Sequence, residues 1–186
     1  MNKLLLLLAD GFEEIEALGT ADILRRMNVN VTTAALKKTA VTGSHNITVQ
    51  ADALLDDVNI EEFSGVVLPG GMPGSLNLYN DERVINLLYN FSAENKLTAA
   101  ICAAPMVLDK AGLLEKCRFT MYPAEDLYKF LRGNKRPLAD RVVVDGKIVT
   151  GKGPGVTAEF AAAVAEVLEV PAGTIQNVLD GMFVNA

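Results

Sequence analysis

The stretch Ala99-Ala100-Ile101-Cys102-Ala103-Ala104-Pro105 holds the residue types that a nucleophile elbow requires. An apolar strand pattern over Leu97–Ile101 runs straight into a helical pattern over Ala103–Leu114, and the cysteine falls at the junction. A tight strand-to-helix turn lifts the junction side chain above the sheet, and its neighbours must be small because the backbone packs closely there. Pro105 suits the first helical turn, where its missing N–H costs nothing. A thiol close to a helix N-terminus is expected to ionise below its free value of about 8.5. The plain alternative is a buried structural cysteine, a common fate of this residue type.

Two further segments carry suitable chemistry. Pro69-Gly70-Gly71-Met72-Pro73-Gly74 follows a short apolar strand, Gly65–Leu68. It lacks the lysine and the spacing of a nucleotide-binding loop. Its glycines allow backbone N–H groups to approach a ligand, so the amides of Gly71 and Ala103 are candidates for an oxyanion hole beside Cys102. Asp10-Gly11-Phe12-Glu13-Glu14-Ile15-Glu16 follows the first strand. Acidic residues at a helix start are favoured by the dipole alone. Successive helical residues point about 100° apart, however, so Glu13, Glu14 and Glu16 cannot share one environment. One of them is expected to face the strand ends and meet Cys102. Ionised, it would raise the cysteine pKa; protonated, it would donate to a thiolate and lower it.

The elements that position these residues read as an α/β alternation. Strands are expected at Lys3–Ala9, Val29–Ala35, Gly65–Leu68 and Leu97–Ile101, with a short hairpin over Val41–Val49 turning at Gly43-Ser44-His45-Asn46. A second hairpin, Arg141–Val144 with Lys147–Thr150, turns at Asp145-Gly146. Helices are expected at Glu13–Met27, Asp81–Glu94 with Asp81 as N-cap, Val156–Leu168 and Ala172–Leu179. In the first helix Ile15, Leu18, Ile23 and Met27 are expected on one apolar side, with Arg25 and Arg26 at the C-terminal end. Buried strands alternating with helices argue a mainly parallel sheet covered on both faces, in a single domain over 1–186. In such sheets ligands bind beyond the carboxyl ends of the strands, where all three segments fall.

Composition narrows the function. Of 186 residues 50% are hydrophobic and 22% charged, enough for a packed core, and the net charge of -6 argues against nucleic acid or an anionic membrane as partner. Leu4 to Ala9 briefly resembles a secretion leader, but the run stops at Asp10, and no stretch approaches the roughly 20 apolar residues of a membrane span. Two cysteines, Cys102 and Cys117, suit a reducing compartment, and the expected location is cytoplasmic. Cys117 is expected before a strand. The single histidine, His45, excludes a multi-histidine metal site, and no metal ligand is assigned.

Taken together, several pieces resemble the ThiJ/PfpI superfamily, in the branch of the parkinsonism-associated deglycase and its bacterial relatives. They are Gly11-Phe12-Glu13-Glu14-Ile15-Glu16 after the first strand, Asp22 and Arg25-Arg26 on the helix, Val67-Leu68-Pro69-Gly70-Gly71, the segment Ala99–Pro105, and Gly153-Pro154-Gly155 before an alanine-rich helix. The resemblance implies a flavodoxin-like three-layer sandwich of the class I glutamine amidotransferase type. It implies a homodimer with the first helix near the contact. It implies Cys102 as an oxidation-prone nucleophile, Glu16 as its protonated partner and the Gly71 and Ala103 amides as the anion pocket, with Gly70 beside them. One departure matters. Many members carry a histidine near the cysteine, and the matching position here is Tyr122, whose pKa near 10 makes it a poor base. His45 falls where members place a polar pocket residue; otherwise it is a solvated turn residue.

The resemblance implies chemistry on reactive carbonyls or early glycation adducts, of glyoxalase or deglycase type and without a cofactor. The alternative is a redox sensor or holdase that uses oxidation of the same cysteine under oxidative stress. That use needs no general base. A peptidase or amidase reading is weaker because its base histidine is missing. Thiazole-phosphate metabolism has no residue to support it.

Overall fold

A computed structural model describes residues 3–133 and 135–184. Its centre is a seven-stranded sheet. The strands are β1 (Lys3–Leu8), β2 (Asn30–Ala35), β5 (Ala53–Leu54), β6 (Gly65–Leu68), β7 (Leu97–Ile101), β8 (Val142–Asp145) and β9 (Ile148–Gly151), in the order β5-β2-β1-β6-β7-β9-β8. All neighbours pair in parallel except β8 with β9, which form the expected hairpin. A separate antiparallel pair, β3 (Ala40–Thr42) and β4 (Thr48–Gln50), makes the first expected hairpin.

The leucine run of β1 follows from burial on both faces. Leu4, Leu6 and Leu8 pack against the cluster formed with α1 (Glu14–Arg26), α6 (Thr157–Val167) and α7 (Ala172–Gly181). Leu5 and Leu7 enter the opposite cluster with α2 (Gly74–Tyr79), α3 (Glu82–Ala93), α4 (Pro105–Lys110) and α5 (Glu125–Tyr128). The result is a three-layer α/β sandwich. Asp81 caps α3 as expected, its side chain accepting the Arg83 N–H at 3.0 Å.

Three local expectations are corrected. Ile15 and Leu18 do not face the core with Ile23 and Met27; they are 61% and 39% exposed. The buried side of α1 is Glu16, Ala17, Thr20, Ala21, Ile23 and Leu24, whose small members let α6 come close. The helix after β7 spans only Pro105–Lys110, because the chain turns at Ala103-Ala104 first and leaves through Gly112 at φ +86°. Cys117 precedes an irregular segment, not a strand: Arg118 N–H is held by the Asp145 side chain and Thr120 N–H by the Thr150 hydroxyl. Among the described residues no helix is long and apolar enough to cross a membrane.

Candidate active site

β1, β6 and β7 are adjacent, so the three segments leaving their carboxyl ends meet. Cys102 stands directly after β7 with φ +63°, the left-handed region that costs a non-glycine residue about 1–2 kcal/mol. Its backbone is pinned on both sides: its N–H donates to the Gly151 carbonyl and its carbonyl accepts the Tyr122 N–H, each at 2.9 Å. These bonds hold the elbow open. The six-residue helix α4 starts three residues later, so its dipole is a smaller influence than the sequence suggests. The N–H groups of Gly71 and Ala103 take over that role by hydrogen bonding to the cysteine sulfur itself.

Of the three glutamates, Glu16 is the one that reaches Cys102. It is completely buried, accepts the Gly70 N–H through Oε2 at 2.8 Å and hydrogen bonds with the thiol. Its other oxygen, Oε1, is buried with no protein partner. Gly70 permits this approach: a Cβ there would lie 2.5 Å from both the Cys102 Cβ and Glu16 Oε2. Gly71 turns the loop at φ +87°, where a Cβ would strike the Glu13 N at 2.4 Å.

Burial drives Glu16 up to about 7, with the Glu13 charge pushing the same way and the Gly70 N–H and Cys102 pulling against it. Burial also pushes the Cys102 thiol up, followed by the charge and hydrogen bond of Glu16; the Gly71 and Ala103 amides pull it down without prevailing. The expectation of a thiol below its free value is therefore reversed, first by burial and then by Glu16. Two acids in one buried site do not both ionise, so the pair shares a proton. A proton on Glu16 removes the charge that opposes the thiolate, though not the burial that raises the thiol.

The other candidates lie around this pair. Tyr122 is tied to Cys102 through its backbone, while its half-exposed ring stands against the Gly153 loop, with Cδ2 3.4 Å from where a Cβ of Gly153 would be. His45 is engaged elsewhere. Its Nδ1 lies 2.9 Å from Glu14 Oε2 and 3.6 Å from Glu13 Oε2, on an exposed side chain. Glu14 also accepts the N–H groups of His45 and Ile47. Burial raises the Glu14 carboxyl, but the His45 ring and these amides outweigh it and bring it down to about 2. Glu14 in turn raises His45. Sequence reasoning missed this contact and the Gly151 and Tyr122 backbone anchors. Main-chain groups carry no residue signature, and Glu14 and His45 are 31 positions apart.

Comparison with known proteins identifies the family and the fold. The DJ-1/PfpI family profile matches residues 2–167. Protein dj-1beta of Drosophila melanogaster is 39% identical over 184 residues, covering 97% of this chain and 96% of its own. The glutathione-independent glyoxalase DJR-1.2 of Caenorhabditis elegans is 33% identical over 173 residues, covering 93% and 91%, and a deglycase of Pyrococcus abyssi is 33% identical over 156 residues, covering 82% and 91%. The chain spans about two fifths of the length of two Arabidopsis thaliana DJ-1 homologs, which are 37% identical to it. Among solved structures, Drosophila DJ-1beta superposes with a TM-score of 0.92 at 37% identity, covering 100% of this chain and 99% of its own. Oxidized Toxoplasma gondii DJ-1 superposes with 0.91 at 32%, covering all of both. The chain belongs to the DJ-1/PfpI family.

Proposed function

We propose that this chain protects against reactive carbonyls by converting small dicarbonyls such as methylglyoxal, with Cys102 as nucleophile and Glu16 as proton carrier. The observation that carries the reading is the buried Glu16 carboxyl set against a thiol whose sulfur also receives the Gly71 and Ala103 amides. The names of the glyoxalase and deglycase relatives support the same chemistry. The sulfur of Cys102 adds to the aldehyde carbon, the carbonyl pair moves to oxygen, and Glu16 protonates it to give a hemithioacetal. The Gly71 and Ala103 amides steady the oxyanion as it forms. Glu16, now ionised, removes the proton on that carbon to give an enediolate; the hydroxyl proton passes to the neighbouring oxygen, and Glu16 returns its proton to the neighbouring carbon as the carbonyl re-forms next to sulfur. The product is a thioester, which water hydrolyses to lactate and free Cys102. A group with a pKa near 7 suits both directions of transfer. The unpartnered Oε1 leaves that proton uncommitted to the protein. The reading assigns the protein to the cytoplasm, which keeps thiols reduced.

Methylglyoxal turnover tests it. Cys102→Ser and Glu16→Gln should each lose on the order of 100-fold or more in kcat/KM. Near wild-type turnover in either variant would end the proposal.

A second reading, redox sensing, draws on the same donors. Peroxide converts the thiolate to sulfenate with loss of water, and a second peroxide gives sulfinate. Protonated Glu16 and the two amides would hold its oxygens. The oxidized state of the Toxoplasma relative favours keeping this reading. Under mild peroxide, intact mass should rise by two oxygens on Cys102 first; oxidation of Cys117 or the methionines ahead of it would remove the support.

A further inference from the structure

We propose that Glu13, Glu14 and His45 form a binding site for one divalent transition-metal ion of the zinc type, using neither Cys102 nor Glu16 as ligand. The donor atoms come from two elements: Glu13 and Glu14 at the start of α1, and His45 in the turn between β3 and β4. All three donors lie within 4.8 Å of one another. Two ligands each about 2.1 Å from a tetrahedral zinc sit roughly 3.4 Å apart. His45 Nδ1 is already 2.9 Å from Glu14 Oε2 and 3.6 Å from Glu13 Oε2, so small side-chain adjustments complete the set.

The carboxylate of Glu14 is oriented in advance. Its Oε1 is occupied by the N–H groups of His45, at 2.7 Å, and Ile47, at 3.4 Å, which leaves Oε2 toward the imidazole. Outer hydrogen bonds of this kind fix a ligand's direction. Ser44 Oγ lies 3.3 Å from an oxygen of each carboxylate and supplies a fourth polar group. Charge points the same way. Glu13 and Glu14 are only 9% and 5% exposed, and a single imidazole faces both. A dication cancels the excess that one imidazolium leaves, and two carboxylates outweigh the positive end of α1. The nitrogen donor selects a zinc-like ion over magnesium or calcium, which take oxygen ligands. The exposed His45 ring provides the entry path.

The single histidine makes the test direct, because the chain gives one set of imidazole NMR signals. Zinc is titrated into the full chain carrying Cys102→Ser and Cys117→Ser, which removes thiol ligands. The His45 signals should shift and saturate at one zinc per chain, with tighter binding at pH 8 than at pH 6 because the metal displaces the ring proton. Adding Glu13→Gln, with the fold checked by its backbone spectrum, should weaken binding at least tenfold; magnesium should leave the signals in place. His45 signals that stay unmoved at millimolar zinc, or equal binding by the Glu13→Gln chain, would overturn the site.

Discussion

Cys102 and Glu16 act as one titrating unit, and each variant should be read on the pair. Glu16→Gln removes the negative charge beside the sulfur while keeping a hydrogen-bond donor. The Cys102 thiol should therefore ionise at lower pH in this variant than in the wild type. Iodoacetamide labelling against pH measures this, with peptide mapping to separate Cys102 from Cys117; an unchanged or higher midpoint would contradict the coupling. The same substitution should abolish carbonyl turnover, so reactivity and catalysis move in opposite directions. Tyr122→Phe should lose about tenfold or less, roughly one hydrogen bond's worth, and His45→Ala least, since the ring meets Glu14 and not the thiol. Stability carries a matching signature. The folded Glu16 value of about 7 lies above its ordinary 4.5, so the native state binds the proton more tightly. That contribution is complete below about pH 4.5 and is lost as pH rises through 7. Urea midpoints between pH 5 and 8 should fall less in Glu16→Gln than in the wild type.

At the scale of elements, the hairpin β3–β4 is docked onto α1 through Glu14. Its value of about 2 lies below the ordinary 4.5, so the sign is opposite to that of Glu16: the stabilisation is present above about pH 4.5 and lost as pH falls toward 2. Protection factors of the His45 and Ile47 N–H groups, taken against the intrinsic exchange rate at each pH, should therefore fall in acid before those of the central strands; protection that persists to pH 2 would contradict the docking role. The parallel strands and the Cys102 junction were readable in the sequence because burial on both faces leaves unbroken runs such as Leu4 to Leu8. The strand end at Gly70-Gly71 was readable because close approach excludes side chains. The face of α1 was not, since Ile15 and Leu18 look like core residues while the core side is made of Ala17, Thr20 and Ala21. Nor could the helical pattern after Ile101 show that the chain turns twice before α4 begins, which moved the main source of positive potential from a dipole to two amides.

Across the whole molecule, Ile15 and Leu18 stand exposed on α1, and Ile47 stands exposed beside Glu14. We propose that these exposed side chains serve the homodimer that the family resemblance implies. Sedimentation at micromolar concentration should give about twice the chain mass of 19.9 kDa, and Ile15→Asp should shift the protein toward monomer without loss of fold. A clean wild-type monomer would refute the pairing. The borders of the sheet bear on the same question. At one border β5 contributes only two residues, and at the other β8 is a four-residue antiparallel return. β5 covers only Ala34 and Ala35 of β2; along the uncovered part the Val31 carbonyl accepts from the Arg25 guanidinium and the Thr33 N–H donates to the Asp52 carboxylate. A neighbouring copy thus finds no extended ladder of free main-chain groups on which to add a strand. Strand addition to the native state is thereby disfavoured, and self-association is left to surface side chains, where a single substitution can switch it off.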